Sequence, residues 1–259
     1  MYRVPHRGPA LVIAHRGGAL LAPENSWESF ENCDQLGFDL VESDAHLTAD
    51  GRVVLIHDPV LERVSNGTGA VATHTWDELQ DVRINGSERG PVLLEDVLAA
   101  FPHLRLNLDA KVEDVWRPMV DILRSYDAAD RALLASFDSA RLARIREYAP
   151  EFQTSLGQRE VARLVLTAQA GFVDDRLSLR WRRQGIVAAQ VPLNVGPIPV
   201  VTKRFVATAH QMGIAVHVWT LNEPEQIVTA LEMGADGIIT DHPVLASEII
   251  AARQSARNA

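Results

Sequence analysis

The chain is predicted to fold as a (β/α)8 barrel, because short apolar runs alternate with amphipathic stretches throughout its 259 residues. A second observation is the number of apolar runs, which is about eight. The third observation is that several of the apolar runs end at a charged residue. In (β/α)8 barrels the active site lies at the carboxyl ends of the strands, where such residues are expected. A doubly wound open sheet is the alternative arrangement for the same pattern.

The predicted strands share a core of Val, Leu, Ile or Ala, as expected of buried parallel strands. They are LVIAH (11–15), DLVESD (39–44), LRLNLD (104–109), RALLAS (131–136), FQTSL (152–156), IVAAQVP (186–192), AVHVWT (215–220) and DGIIT (236–240).

The stretches between the strands carry start and stop signals of helices. SWESFENCDQLG has Trp27 and Phe30 on a helical period and stops at Gly37. In FDSARLARIREYAP, Asp138 is placed to cap the helix N-terminus. TKRFVATAHQMG and EPEQIVTALEMG also end in glycine. Helices are therefore predicted between the strands.

One region breaks this alternation. Residues 51–95 contain GRVVLIHD, the Gly/Asn/Thr-rich SNGTGAV and NGSERGPVLLEDVL, which together are too long for one βα loop. We predict an insertion after the second strand, on the carboxyl-terminal face of the barrel, with an extra strand-like run at 53–56. The inserted segment is assigned to about residues 59–95 of a single domain that spans 1–259.

Composition limits the classes of protein to which the chain can belong. The formal net charge of -9 argues against a nucleic-acid partner. The single cysteine, Cys33, rules out an intramolecular disulfide and is expected to be buried. No run approaches the ~18 apolar residues of a membrane span, and residues 1–10 have no apolar leader segment. A cytoplasmic protein without stable membrane insertion is expected, whereas its oligomeric state is not predicted.

Three carboxylates at strand ends suggest a metal site. Glu42 and Asp44 are two residues apart on a predicted strand, so their side chains point to the same face. Burying such a pair is costly unless a cation neutralises it. Asp109 ends the next strand and can supply a third oxygen. Oxygen ligands predict one divalent cation, Mg²⁺ or Ca²⁺, rather than zinc. A solvent-facing acidic pair is the alternative.

Two histidines and two cations complete the predicted site. His15 ends the first strand and His57 follows VVLI, and both are candidates for proton transfer. Arg16 has a planar fork that matches phosphate oxygens, and Lys111 faces the same way as Asp109. Beside a metal, such cations indicate an anionic substrate group, most simply a phosphodiester. For each cation, a structural salt bridge is the alternative.

Taken together, these motifs resemble those of the glycerophosphodiester phosphodiesterase family. The matching segments are AHRGG, APENSWESF, DLVESDAHLTADGRVVLIHD, LNLDAK, VHVWTLN and GADGIITDHP, between residues 14 and 243. Each motif alone is a weak signal, whereas their order and spacing together are specific.

The resemblance implies a barrel of the phosphatidylinositol-phospholipase-C type with a small insertion after the second strand. It also implies metal-dependent hydrolysis of a glycerophosphodiester to glycerol 3-phosphate and an alcohol. By position, the resemblance implies that His15 and His57 are the acid–base pair and that Glu42 and Asp44 bind the metal. It implies that Arg16 and Lys111 hold the phosphate and that Trp219 forms an apolar wall. Glu24 and Asn25 are implied to shape the first loop, with Glu24 near the metal or a substrate hydroxyl.

The chain departs from the family pattern at Asp109, where the family commonly has Glu. Related sphingomyelinase D and phospholipase D toxins carry Asp there, which keeps cleavage of lysophospholipid or sphingomyelin head groups open as the alternative function. Such an enzyme needs an apolar rim, for which the loop 193–202 offers Val195, Ile198 and Val200. A barrel that binds but does not catalyse is a third possibility. The head group and the roles of the two histidines are not predicted.

Overall fold

The strands of the computed structural model lie close to the predicted positions. The model describes residues 8–38, 40–171, 173 and 175–258, so Asp39 of the predicted DLVESD strand and the amino-terminal residues 1–7 lie outside the described residues. The strands are β1 (Leu11–His15), β2 (Leu40–Leu47), β3 (Val53–Leu55), β4 (Val92–Leu93), β5 (Arg105–Ala110), β6 (Ala132–Ala135), β7 (Gln153–Ser155), β8 (Ile186–Pro192), β9 (Asn194–Val195), β10 (Ile198–Pro199), β11 (Ala215–Trp219) and β12 (Gly237–Thr240).

Eight of these strands close into a parallel barrel. Their order is β1, β12, β11, β8, β7, β6, β5 and β2, and β2 pairs again with β1. In β1, Ile13 lies opposite Leu40 of β2 and Ile239 of β12. With Leu133 and Ala188, these residues form a buried cluster inside the barrel. The predicted barrel is confirmed, and the closure excludes the open sheet.

Helices connect the barrel strands and cover them on the outside. They are α1 (Trp27–Leu36), α2 (Trp76–Leu79), α3 (Leu94–Ala100), α4 (Trp116–Ser125), α5 (Ser139–Tyr148), α6 (Gln158–Ala170), α7 (Asp175–Arg183), α8 (Lys203–Gln211), α9 (Pro224–Met233) and α10 (Pro243–Asn258), with 3-10 turns at Val71–Thr73 and Ala128–Asp130. The predicted caps are present: Gly37 ends α1 at φ 73°, and the Asp138 carboxylate accepts from the backbone N–H of Ala140 at the start of α5.

The strand period decides which side chains face the barrel interior. In β2, Val41 and Ala45 pack outward into a buried cluster with Phe30 of α1, whereas Leu40 packs inside the barrel. Glu42, two residues after Leu40, therefore faces the interior as well. Cys33 is buried against the outer layer, as expected.

The stretch between β2 and α3 builds its own small layer. β3 pairs antiparallel with the last residues of β2, and β4 pairs with β3. The apolar residues of this layer are Val54, Ile56, Leu61, Val64, Val71, Leu79, Ile84 and Leu93, which form a separate buried cluster. β3 pairs with the carboxyl-terminal end of β2, and His57 and Asp58 follow β3 directly. These two residues therefore lie at the mouth of the barrel.

The turn after β1 depends on glycine. Arg16 and Gly17 have φ values of 51° and 80°, in the left-handed region. A Cβ atom on Gly17 would lie 2.3 Å from Ser29 Oγ and 2.6 Å from Ser29 Cβ. A glycine at this position lets α1 approach the turn closely.

Gly17→Ala should lower the free energy of unfolding by about 2 kcal/mol or more, because alanine meets both the positive φ and the Ser29 side chain. Gly37→Ala is the matched control, since Gly37 has φ +73° and no atom within 4 Å of the added Cβ. Urea unfolding of both variants measures the difference. Equal losses would show that the Ser29 contact is unimportant.

Candidate active site

The carboxyl ends of the barrel strands surround a cavity of about 560 Å³. Eight predicted site residues border it, namely His15, Arg16, Glu42, Asp44, His57, Asp109, Lys111 and Trp219. Glu24 and Asn25 are not among its lining residues. The cavity therefore gathers residues from β1, β2, β5 and β11, which are far apart in the sequence.

The three predicted carboxylates converge on the floor of this cavity. Glu42, Asp44 and Asp109 are 9%, 1% and 6% exposed, so they are not a solvent-facing acidic group. The register of β2 and β5 places Asp44 opposite Asp109. Lys111 Nζ lies 2.8 Å from Asp44 Oδ1 and 2.9 Å from Asp109 Oδ2, so one ammonium group bridges the two aspartates.

The three carboxyl groups on the cavity floor differ in the direction in which their pKa values are shifted. Burial and the neighbouring Asp44 raise the pKa of Glu42 to about 8. Burial also raises the pKa of Asp109, and Lys111 offsets this only in part. For Asp44, burial acts to raise the pKa, but Lys111, His57 and Arg16 together hold it below its usual value. Asp109 Oδ1 is a buried oxygen for which no hydrogen-bond partner is found within the described residues.

A hard divalent cation matches these donors in chemistry. Glu42 and Asp44 offer carboxylate oxygens, and so does Asp109, whose Oδ1 has no hydrogen-bond partner among the described residues; Mg²⁺ and Ca²⁺ prefer such ligands. Within the described residues, no three His, Cys, Asp or Glu side chains are grouped closely enough to hold a metal as they stand. Lys111 lies between the two aspartates instead. Three-carboxylate coordination would require the lysine to move away from them.

Each predicted catalytic histidine is oriented by an aspartate. His15 Nδ1 lies 2.6 Å from Asp241 Oδ1, and His57 Nδ1 lies 2.6 Å from Asp58 Oδ1. Because the neighbour is a carboxylate, Nδ1 carries the proton and donates it, so Nε2 is the ring nitrogen left available in each histidine; Nε2 of His15 lies 3.9 Å from Glu42 Oε2. Burial acts to lower the pKa of His15, but the Asp241 hydrogen bond and the charge of Glu42 together raise it.

Asp241 is itself held in place. Asn222 Nδ2 donates to Asp241 Oδ2 at 2.7 Å, and the Asp241 backbone N–H donates to Asn222 Oδ1 at 2.9 Å. Asp58 and Asp241 do not belong to the predicted site, although each follows a signal present in the sequence. Asp58 comes directly after His57, and Asp241 comes directly after the strand DGIIT.

Asp241→Asn should cost about 1.5–3 kcal/mol of stability at pH 6, because it removes a charge-assisted hydrogen bond to His15. A histidine with a raised folded-state pKa contributes stability that is complete below its unfolded value, about 6.5, and is lost as pH rises through the folded value. The cost should therefore shrink at pH 9. Urea unfolding of both proteins at the two pH values measures it, and an equal cost at both would contradict the interpretation.

Glu24 lies between two arginines, next to the cavity. Arg16 Nη1 donates to Glu24 Oε1 at 3.0 Å, and Arg63 donates to both Glu24 oxygens at 2.7 and 2.8 Å. Arg63 also pairs with Asp58, the partner of His57. Although burial acts to raise it, these arginines hold the pKa of Glu24 below its usual value. Arg63 lies two residues before the Gly/Asn/Thr-rich SNGTGAV, and no pattern in the sequence marks it as a site residue.

Asn25 supports the floor of the cavity from behind. Its Nδ2 donates to Asp44 Oδ2 at 3.3 Å, and its Oδ1 accepts from Ser43 Oγ at 2.7 Å. Asn25 is 3% exposed and has φ 52°, a conformation that Asn tolerates better than most residues. In this structure Glu24 and Asn25 thus position Arg16 and Asp44.

An aromatic pair forms another wall of the cavity. The rings of Phe137 and Trp219 are 5.9 Å apart at 70°, an edge-to-face contact. Lys111 Nζ lies 5.8 Å from the centre of the Phe137 ring. Trp219 thus borders the cavity, and its role as an apolar wall against a substrate stays a prediction. Phe137 was missed, although it directly follows the predicted strand RALLAS.

Paired histidines beside cations and buried carboxylates, at the mouth of a (β/α)8 barrel, suit acid–base chemistry on an anionic substrate such as a phosphate diester. Residues 15–245 match the model of the "Glycerophosphoryl diester phosphodiesterase family". The chain belongs to this family and is a phosphoric diester hydrolase.

Individual curated proteins and solved structures are also similar to this chain. The Mycobacterium tuberculosis protein named "Probable glycerophosphodiester phosphodiesterase 2" is 32% identical over 249 residues, covering 95% of this chain and 92% of its own. A "Lysophospholipase D" from Mus musculus is 26% identical over 91% of this chain and 80% of its own. The fold is that of an Agrobacterium tumefaciens crystal structure, with a TM-score of 0.78 at 21% identity over 96% of this chain and 100% of that one.

Among the helices of the described residues, none combines the length and the apolar character needed to cross a bilayer. The cytoplasmic location and the lack of a nucleic-acid partner stay predictions.

Proposed function

We propose that this chain hydrolyses glycerophosphodiesters to glycerol 3-phosphate and an alcohol, with His15 and His57 as the acid–base pair. The observation that carries the proposal is the pairing of each histidine with an aspartate at Nδ1, on one cavity with Arg16 and Lys111. Family membership and the relative from M. tuberculosis support the substrate class.

The phosphate is bound by Arg16 and Lys111 in this proposal. Both cations border the cavity, and Lys111 already spans the gap above Asp44 and Asp109. Positioned donors of this kind stabilise charge that develops on the equatorial phosphate oxygens, by about 3 kcal/mol for a well-placed donor. The aromatic pair Phe137–Trp219 lies against the part of the substrate that does not carry charge.

Proton transfer is assigned to the two histidines. One Nε2 removes a proton from the attacking oxygen, and the other protonates the alcohol oxygen as it leaves. Asp58 and Asp241 each accept a hydrogen bond at Nδ1, which favours in each ring the tautomer with an unprotonated Nε2. His15 ends β1 and His57 lies in the segment after β3, which permits them to act on opposite sides of one phosphorus.

One divalent cation, Mg²⁺ or Ca²⁺, is proposed as the cofactor, held by Glu42 and Asp44 with Asp109 as a third donor. The support is the raised pKa of Glu42 and the unpaired buried oxygen of Asp109. When bound, such an ion supplies charge stabilisation to a phosphate oxygen and lowers the pKa of a neighbouring hydroxyl. Glu42 must lose its proton to bind it.

Release of glycerol 3-phosphate from glycerophosphocholine and glycerophosphoethanolamine tests the proposal. The reaction is run with Mg²⁺, with Ca²⁺ and with EDTA, and the product is measured with a coupled dehydrogenase. Metal-dependent release is expected. Release that is unchanged in EDTA would remove the cation from the mechanism, and no release by folded protein with either ion would overturn the proposed function.

Head-group cleavage of lysophospholipids is a second candidate function. The relative from Mus musculus carries the name of that activity. In this chain, the cavity residues contributed by α6 and the β9–β10 hairpin are uncharged, and Val161, Val165 and Val195 are among them.

A further inference from the structure

Arg63 joins two carboxylates that hold different parts of the candidate site. Its Nη1 and Nη2 donate to the two oxygens of Glu24 at 2.8 and 2.7 Å, and its Nε donates to Asp58 Oδ2. Arg63 is not among the residues that line the cavity. Its side chain therefore reaches the site through these two carboxylates rather than through contact with a bound substrate.

Both oxygens of the Asp58 carboxylate are engaged. Oδ1 accepts from His57 Nδ1 at 2.6 Å, and Oδ2 accepts from Arg63. The terminal torsion of an aspartate is broad, so a carboxylate held at one oxygen can turn about it. A second donor on the other oxygen fixes the plane of the group. The His57 ring is consequently oriented by Asp58, and Asp58 is oriented by Arg63.

Arg63 also keeps Asp58 in its charged form. The hydrogen bond from Arg63 is the largest of the effects that lower the pKa of Asp58 to about 2. Asp58 is therefore ionised throughout the pH range in which histidines exchange protons. A charged acceptor makes a stronger hydrogen bond with an imidazole N–H than a neutral acceptor does.

The backbone of Arg63 is anchored within the inserted segment. Leu61 and Val64, which flank it, are buried in the apolar cluster of that segment. The backbone N–H and the hydroxyl of Ser65 both donate to the Leu61 carbonyl, at 3.1 and 2.7 Å. Asn85 Nδ2 donates to the Arg63 carbonyl at 3.4 Å. The guanidinium group is thus carried by a packed and hydrogen-bonded turn.

The Glu24 end of the bridge is held as well. Arg16 Nη1 donates to Glu24 Oε1 at 3.0 Å, and the backbone N–H of Asn25 donates to the Arg16 carbonyl at 2.8 Å. An isolated surface ion pair contributes little, whereas a bidentate arginine within a network holds its geometry better. The side chains of Glu24 and Asp58 are only 16% and 21% exposed, so this network is largely shielded from water.

We propose that Arg63 is a positioning residue of the active site, which orients the His57 imidazole through Asp58. Through Glu24, the same guanidinium ties this histidine to the loop that carries Arg16. The proposal rests on the acid–base role proposed above for His57. Arginine suits the task because its planar fork contacts two carboxylates at once, whereas the ammonium group of lysine has no such fork.

Arg63→Met should lower kcat for glycerophosphocholine about 10–100-fold and change KM less than about threefold. Phosphate binding is retained in this variant, because Arg16 keeps its contacts with Glu24 and Asp44. Arg83→Met is the matched control, since Arg83 is an exposed arginine of the same insertion that donates to backbone carbonyl groups. The control should keep both constants. A kcat for Arg63→Met equal to that of the control would overturn the proposal.

A double-mutant cycle tests the route through Asp58. Asp58→Asn should itself lower kcat, and Arg63→Met added to it should lower kcat by less than about threefold more, because the carboxylate through which the arginine acts is already lost. Losses that multiply in the double variant would show independent action and overturn the proposal. Arg63→Lys keeps the charge without the fork and should lose at least about threefold in kcat. Full kcat in this second variant would also overturn it.

The tautomer of the His57 ring gives a readout that does not depend on activity. In ¹⁵N NMR spectra at pH 9, where imidazoles are neutral, the His57 proton should reside on Nδ1 in the unsubstituted protein and in Arg83→Met. In Arg63→Met it should be divided between the two nitrogens. The spectrum of His57→Ala assigns the signal.

The outcomes separate this proposal from the proposed function. A tautomer that Arg63→Met leaves unchanged would overturn the positioning role, and hydrolysis of glycerophosphocholine by the unsubstituted protein would leave the phosphodiesterase function standing. A tautomer that depends on Arg63, in a folded protein that hydrolyses neither glycerophosphocholine nor glycerophosphoethanolamine, would support the positioning role and overturn the proposed function.

Discussion

His57→Ala should lower kcat for glycerophosphodiester hydrolysis by about 10²–10⁴ and leave the fold intact. The imidazole borders the cavity, is held at Nδ1 by Asp58, and lies on a segment fixed by β3. Its ring is a third exposed, so truncation opens no buried hole. The loss should fall on kcat rather than KM, because proton transfer occurs only in the transition state.

Steady-state kinetics with glycerophosphocholine, together with circular dichroism to verify folding, measures this effect. His103→Ala is the matched control, since His103 is an exposed loop histidine that does not line the cavity. Turnover near that of the unsubstituted protein in the His57→Ala variant would exclude this histidine from acid–base catalysis.

Glu42→Gln should weaken metal affinity by about tenfold or more while leaving the metal-free protein as stable as before, because an anionic ligand is lost. The stability expectation follows from the pKa of Glu42, which burial and Asp44 raise to about 8. Near pH 7 the metal-free carboxyl group is therefore mainly protonated, and glutamine resembles that neutral form. In the unsubstituted protein, affinity should rise with pH toward the pKa of Glu42 as the proton becomes easier to remove.

Calorimetric titration of Mg²⁺ and Ca²⁺ at pH 6.5 and 8.5 tests both statements. The pH dependence should be smaller in Glu42→Gln than in the unsubstituted protein. Glu147→Gln, on the exposed side of α5, is the charge-matched control. If all three proteins bind the ions equally, Glu42 is not a metal ligand.

Local sequence patterns predicted the elements of the barrel well because each rule acts over a few residues. The run IVAAQVP became β8 with the same bounds, and the capping signals at Gly37 and Asp138 were confirmed. The extra run at 53–56 became β3, which is one residue shorter. The antiparallel pairing of β3 with β2 did not follow from any local signal.

The candidate site was predictable wherever the strand period or a strand end carried the information. Glu42 and Asp44 share a face because side chains alternate along β2. Arg63 shows the opposite case: its sequence neighbours indicate only a loop, yet it reaches Glu24, which is 39 residues away. A contact between residues so far apart in the sequence is formed only by tertiary folding, so local sequence patterns do not predict it.

By itself, the sequence determined the eight strands, the helices between them and the polar residues that end the strands. These features depend on backbone periodicity and on capping, which are local. Tertiary structure alone decided that Asp241 meets His15 across 226 residues, that Lys111 lies between Asp44 and Asp109, and that α6 lines the same cavity as the two histidines. The physical reason is that barrel closure and strand register are set by packing of the whole chain, and no short segment encodes them.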